Sequence, residues 1–417
     1  MFMTSLFGLQ LNSFVLDIFL AILFLFFVIR FLLKNKKNVK FDRMIFPFLY
    51  AFLYRGVFGI KWMKKFVKKH KEGVRLFGLI GIGIGFLGIF LSALMLFYVA
   101  WQIIFQPKVA SVAPFLPFTE VPVLGYISFS HWVITIFIVV LIHEAAHGLV
   151  AISHGLKIKK TGFGLFAIFI PFLPVAFVEP DEEELKSSPD YVQYSIFSAG
   201  PMANFLLMIP LGLILLLIIN PVESGITEDL GFSFNTIENE TYPAFLAGIP
   251  SNVPFNYINN DSVYSMKDFY STLIYSKPNQ NLTLSYFNES SGKFEYNYSV
   301  TLIANPDGLN SGFLGVNQIH DYRVVKDEFE FFGKFFSWFK GLINLLFQIT
   351  FSLGLINLFP AVFTDGGRMF SLALSKVSKN KKLNSLIVSF LGIFFLVLII
   401  FSMITHFTGN PFSAIFG

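Results

Sequence analysis

Two histidines four residues apart, with a glutamate beside the first, are the residues of this chain best suited to chemistry: His143-Glu144-Ala145-Ala146-His147. On a helix, positions i and i+4 share a face, so both imidazoles can hold one metal ion. Glu144 sits one residue round the helix, beside the coordination position left open. There it can take a proton from zinc-bound water. Ala145 and Ala146 leave room for close packing. The bland reading is a polar patch in which the three side chains satisfy one another. That is costly inside a bilayer, where ionisable groups mark functional sites by default.

Zinc at a catalytic site usually takes three protein ligands. The chain has no cysteine, which excludes thiolate zinc sites, cysteine nucleophiles and disulfides. The third candidate is Asp365, in Asn357-Leu-Phe-Pro-Ala-Val-Phe-Thr-Asp365-Gly366-Gly367-Arg368. It ends a long apolar run and lies at the same depth as the His pair if the two spans run the same way. A second reading makes Asp365 the N-cap of a short helix starting at Gly366. Asn357 is either a packing amide or a hydrogen-bond donor to substrate and oxyanion. Ser198-Ala-Gly200-Pro201-Met-Ala-Asn204 opens another apolar run. Asn204 can hydrogen-bond across to the His-bearing helix, whereas Gly200 and Pro201 read as packing residues supporting the site. His70, His131, His154, His320 and His406 are not expected as ligands.

The elements that must position these residues are membrane helices. The chain is 54% hydrophobic and 14% charged, with 56 phenylalanines among 417 residues. An ordinary soluble domain is about 25% charged. Six segments have the roughly 20 apolar residues a spanning helix needs: 14–33, 76–105, 131–152, 192–219, 336–359 and 384–407. The first is too long for a signal-peptide core and lacks a small-residue cleavage site. The stretch 161–178 is apolar but short and contains Pro171 and Pro174, so it reads as a re-entrant hairpin shielded by protein. The stretch 44–60 carries Pro47, Arg55 and Gly56 and is expected at the interface or dipping in shallowly.

Lys and Arg give the orientation. Residues 1–13 have none and the loop 34–75 has thirteen, which puts that loop in the cytoplasm. Alternation then places 220–332 outside. That segment has 5 basic and 14 acidic residues, 5 − 14 = −9, and five N-x-S/T sequons at Asn239, Asn260, Asn281, Asn288 and Asn297. It reads as a separate domain with short strands at Leu282–Phe287 and Phe294–Leu302. The expected organisation is N-terminal transmembrane helices over 1–130, the first half of a catalytic membrane core over 131–219, the outer domain 220–332, and the second half of the core with the last span over 333–417.

Taken together, these motifs resemble the site-2 protease family of intramembrane zinc metalloproteases, in its PDZ-containing, archaeal-type form. The likeness rests on His143-Glu144-Ala-Ala-His147-Gly148, Ala199-Gly200-Pro201-x-x-Asn204, and Asn357-x-x-Pro360-x-x-x-x-Asp365-Gly366-Gly367, in that order. Ala176-Phe-Val-Glu179-Pro180-Asp181-Glu182 and Gly81-Ile-Gly-Ile-Gly85-Phe add to it. Thr364 stands where a Leu commonly precedes Asp-Gly. The outer segment is similar to a PDZ domain through Pro243-Ala244-Phe-Leu-Ala-Gly248-Ile249, Ile258-Asn259-Asn260, Val263 and Phe269. The resemblance implies His143, His147 and Asp365 as ligands of one Zn2+ per chain, Glu144 as general base, Asn357 near the substrate backbone and Asn204 as a support of the site.

The expected fold is therefore an α-helical polytopic membrane protein of about six transmembrane helices, with an inserted small extracytoplasmic PDZ-like α+β domain. The expected function is hydrolysis of peptide bonds within the transmembrane segments of single-pass membrane proteins. The site would open toward the cytoplasm from a multi-pass position in the cell membrane. The partners would be those substrates and the lipid bilayer, with possible peptide contact through the PDZ-like domain or a size filter there, and no nucleic acid. The rival reading is a pseudoprotease that binds membrane clients without cutting. The intact Glu144 argues against it.

Overall fold

Six helices are long and apolar enough to cross a membrane: Phe14–Lys34, Ile60–Phe105, Phe129–Ser153, Asp190–Ile226, Asp327–Asn357 and Lys381–Ser402. The computed structural model describes residues 3–6, 9–45, 49–105, 115–121, 125–168, 170–288, 291–306 and 310–408. The protein is mostly helical, with small antiparallel sheets, and is a multi-pass membrane protein. Large apolar side chains such as Phe90, Phe97, Leu216 and Phe390 stand exposed on these helices. Such faces need lipid, and the helices satisfy their own backbone groups as lipid requires.

The described residues separate into two compact units, Met1–Leu215 with Lys340–Gly417, and Leu216–Phe339. The elements that frame the site in the first are, in chain order, α1 (Ser13–Lys34), β1 (Val39–Ile45), β2 (Leu49–Gly56), α2 (Ile60–Phe105), α3 (Phe129–Ser153), β3 (Ile158–Ile168), β4 (Ile170–Pro180), α4 (Asp190–Ile214), α5 (Glu330–Asn357, from Lys340 onward in this unit), α6 (Asp365–Val377) and α7 (Lys381–Thr408).

Helix α3 is the centre of this unit and packs against α2, α4 and β4. Trp132, Val139, Val150 and Ala151 are buried. Ser128 caps its start, accepting from the His131 N–H at 3.2 Å. At its other end the Arg75 guanidinium donates to the Ser153 carbonyl at 2.9 Å. A cation there complements the negative end of the helix dipole. Asp17 of α1 is buried, and α1 packs against α3.

Glycines set the distance between α2 and its neighbours. Gly78, Gly81, Gly85 and Gly88 fall on one helical face. A Cβ on them would run into Ser195, Ser198, Met369 and Leu358 respectively. Gly83, on the other side, would meet nothing within 4 Å. Small residues of this kind let helix backbones approach in a membrane.

The hairpin expected over 161–178 is present as β3 and β4, but it is half of a larger sheet. The strands run in the order β1-β2-β3-β4, all antiparallel. The segment 44–60 therefore does not dip into the membrane alone; its strand β2 pairs along β3 from Leu49↔Ile168 to Gly56↔Thr161. The physical reason is period-two alternation with cross-strand aromatic pairing. Phe41 and Phe52 lie opposite each other with rings stacked at 4.9 Å. The rim is held by Arg55 to Glu179 at 3.0 Å and Lys159 to Asp181 at 3.0 Å. The bond from Lys159 holds the Asp181 carboxyl below its ordinary range. Asp181 also caps the short helix Glu182–Ser187.

The second unit has its own core, a stack of phenylalanines. Phe232 lies on Phe269 at 4.3 Å and Phe234 on Phe255 at 5.2 Å, all four fully buried. Its main sheet is antiparallel, with Asn281–Asn288 paired to Lys293–Thr301. Thr227–Thr236 pairs with Val316–Val325. Of the apolar positions in the motif run of this segment, Ala244, Ile249, Ile258, Val263 and Phe269 belong to the core, while Phe245 and Leu246 are exposed.

Candidate metal centre

The histidines of α3 point into the unit, not into lipid. His143 and His147 are 6% and 9% exposed, and Asp365, the first residue of α6, is 9% exposed. Three atoms converge: His143 Nε2 lies 3.0 Å from Asp365 Oδ2, His147 Nε2 lies 3.2 Å from the same oxygen, and the two Nε2 atoms are 3.1 Å apart. A tetrahedral zinc with bonds of about 2.0–2.1 Å needs donors about 3.3 Å apart, so the triangle has the right size.

The hydrogen bonds on the far side of each ring bear on which nitrogen is free. His147 Nδ1 donates to the Ile196 carbonyl at 2.6 Å, which leaves a lone pair on Nε2. His143 Nδ1 lies 3.3 Å from the Asn204 amide nitrogen, while Asn204 Oδ1 is buried without a partner. The two amide orientations are alike in shape. The reverse one pairs the orphaned oxygen with an N–H on His143 Nδ1 and frees His143 Nε2 as well. Two unprotonated nitrogens facing each other across 3.1 Å repel, unless a cation lies between them. The donor set therefore fits a metal.

The fit extends to Gly200. A Cβ on this residue of α4 would run into both Nε2 atoms. The position read from sequence as packing thus borders the donor atoms themselves. Pro201, next to it, has no N–H for the carbonyl four residues back and loosens α4 at this point.

Asp365 is not the N-cap of α6. Thr364 takes that role, accepting from the Gly367 N–H at 3.0 Å and donating to the Ala361 carbonyl at 2.9 Å. This leaves the aspartate side chain to turn toward the histidines. The residue that departs from the usual Leu therefore has a job in the turn. Gly366 and Gly367 press against the backbone of Leu358 and Ala361, where a Cβ would collide.

Glu144 lies near the two histidines, with ligand-type atoms of all three within 4.8 Å of one another. Its role differs from that of Asp365. Oε2 accepts from the Val178 N–H of β4 at 3.0 Å. Its other oxygen has no hydrogen-bond partner among the described residues. Nothing in the sequence could reveal this contact, because the donor is a backbone group. Asn357 closes α5, half-buried, and its side chain makes no hydrogen bond among the described residues. His154 lies against Ser195 Oγ at 3.3 Å and is not part of the donor triangle. His70 and His320 are exposed, and the His406 side chain lies outside the described residues.

The family model of peptidase family M50 matches residues 131–399. The chain belongs to peptidase family M50. The match runs from the start of α3 into α7 and so takes in every donor described above. His143, Glu144 and His147, clustered where they could hold a metal ion, lie within that match. The chain is also 40% identical over 83 residues to an uncharacterised protein of Methanocaldococcus jannaschii, covering 19% of this chain and 21% of that relative. The match thus spans about a fifth of that relative's length.

At a metal site the partners behind the ligands hold the ring orientation, and losing one typically costs about 10–100-fold in metal affinity. Asn204→Ala is expected to weaken zinc binding by about that factor, read by chelator competition. The helices should remain folded, since no other described side chain hydrogen-bonds to Asn204.

Proposed function

We propose that the chain is an intramembrane zinc endopeptidase that hydrolyses peptide bonds within the transmembrane segments of single-pass membrane proteins. One observation carries this reading: a buried triangle of metal-type donors, with a general base beside it, in which both histidines and the base stand on α3, a helix itself long and apolar enough to span. His143, His147 and Asp365 would hold the zinc. Zinc, when bound, supplies Lewis acidity toward water and toward a peptide carbonyl.

The chain's own residues do the rest. The free oxygen of Glu144 takes a proton from the attacking water, while Val178 holds the other oxygen and fixes the carboxylate's direction. The oxygen of that water adds to the scissile carbonyl. Glu144 then returns the proton to the leaving amine as the C–N bond breaks. Asn357, with its side-chain amide unspent, donates to the substrate backbone and to the developing oxyanion.

Strand β4 is an edge of its sheet. Backbone groups of alternate residues point to the same side. The side on which Val178 meets Glu144 is therefore also the side to which Ala176 offers its N–H and C=O. An extended peptide can add there as a further strand. A helical substrate has its carbonyls occupied and must first unwind. The site opens toward the cytoplasm and residues 220–332 lie outside, a reading that the Lys and Arg distribution supports.

The test is a panel of single-span substrates in liposomes, with and without Gly, Asn or Pro within the span. Each Gly for Ala weakens a helix by about 1 kcal/mol, so cleavage should rise about fivefold per substitution near the cut. Mass spectrometry should place the cut inside the span. Cuts confined to the soluble flanks would overturn the intramembrane reading.

A further inference from the structure

The first turns of α2 do not belong to the span that follows them. The helix runs 46 residues, about 69 Å at 1.5 Å per residue, against a hydrocarbon core of about 30 Å. The uncharged stretch 76–105 is enough to cross. At His70 the backbone leaves helical values, with φ −125° and ψ 31°. Residues 60–69 are thus a separate helix, joined by a kink at the foot of the span.

This short helix has three faces. Ile60, Met63 and Val67, at i, i+3 and i+7, are buried. Trp62 and Phe66, at i and i+4, are 57% and 38% exposed, with rings stacked at 5.6 Å. The remaining arc carries Lys61, Lys64, Lys65, Lys68 and Lys69, continued by Lys71 just past the kink, all exposed. None of these six lysines makes an ion pair among the described residues. The acid next to them, Glu72, faces Arg75 at 3.5 Å.

The buried face rests on the catalytic helix. A Cβ on Gly148 would meet Met63 Sδ at 2.8 Å and Val178 Cγ1 at 3.1 Å. Gly148 follows His147, and Val178 is the residue that holds Glu144.

We infer that helix 60–69, with Lys71, is a docking surface for the headgroups of anionic phospholipids. Six cations without partners, held on one arc at the membrane boundary, complement phosphate groups at that level. Trp62 and Phe66 are the aromatic pair that settles at the interface. A helix with apolar, aromatic and basic faces lies in the boundary plane. Lysines that served only to orient the chain in the membrane would not need a kinked helix flanked by an aromatic stripe. The helix that bears this surface packs through Met63 beside Gly148, the residue after His147.

The experiment uses the full chain in nanodiscs and the fluorescence of Trp62, isolated by comparison with Trp62→Phe. Brominated phosphatidylglycerol should quench it at about a tenfold lower mole fraction than brominated phosphatidylcholine. In the variant Lys64→Gln, Lys65→Gln, Lys68→Gln, Lys69→Gln the two curves should coincide, with zinc content unchanged. All four side chains are exposed, so the fold is not at stake. Coincident curves in the wild type would overturn the inference. So would a preference that survives the four substitutions, or one abolished by excess inorganic phosphate, which would mean a site for soluble anions.

Discussion

Glu144→Gln is expected to leave zinc at about one per chain and to lower cleavage of a transmembrane substrate by about 10²–10⁴-fold, the usual contribution of a general acid–base group. The substitution is nearly isosteric, and the Gln carbonyl can still accept from the Val178 N–H now bonded to Glu144 Oε2. Strand β4 therefore stays where it is, and the metal donors are untouched. What is lost is the basic oxygen that faces no partner. Metal analysis and cleavage, measured on the same preparations, separate the two effects. If the variant cuts as fast as the wild type, Glu144 is not the base. If both bind zinc and neither cuts any span of the panel, the chain is a client-binding relative of the peptidases and not a working one.

Much of this site was legible before any coordinates. The His pair declared itself through i, i+4 spacing. The matched depth of Asp365 followed from counting spans, and the structure places its oxygen within 3.2 Å of both rings. The unread features share a physical cause. They depend on backbone groups or on contacts between residues far apart in the chain. The groups that hold Glu144 and fix His147 are the Val178 N–H, which every residue type but proline has, and the Ile196 carbonyl, which every residue type has. The sheet joining residues 39–56 to 158–180 is non-local, and Pro47, Arg55 and Gly56 hid the alternation of Tyr50, Phe52 and Tyr54. The kink at His70 carries no proline or glycine of its own. At Thr364 the departure from Leu was visible, but the turn that uses the hydroxyl, including its bond to the Phe359 carbonyl, was not.

Gly200→Ala is the second change with a large expected effect, and it acts through shape alone. Alanine is a better helix former than glycine by about 1 kcal/mol, so propensity favours the variant within α4. The new methyl, however, falls on His143 Nε2 and His147 Nε2 together. Neither ring can retreat freely: His147 is bonded to Ile196 and His143 to Asn204, and both sit on the buried face of α3. Metal–ligand distances tolerate errors of only about 0.2 Å, so displaced rings cannot close the donor set. Zinc affinity is expected to fall at least about 100-fold, more than for loss of a single outer partner. Cleavage should fall with it, while the helix content by circular dichroism stays that of the wild type. Serine should behave like alanine, because the obstacle is the Cβ. Wild-type zinc binding by Gly200→Ala would mean that α4 stands farther from the rings than the structure places it, and the assignment of the donor triangle would have to be redrawn.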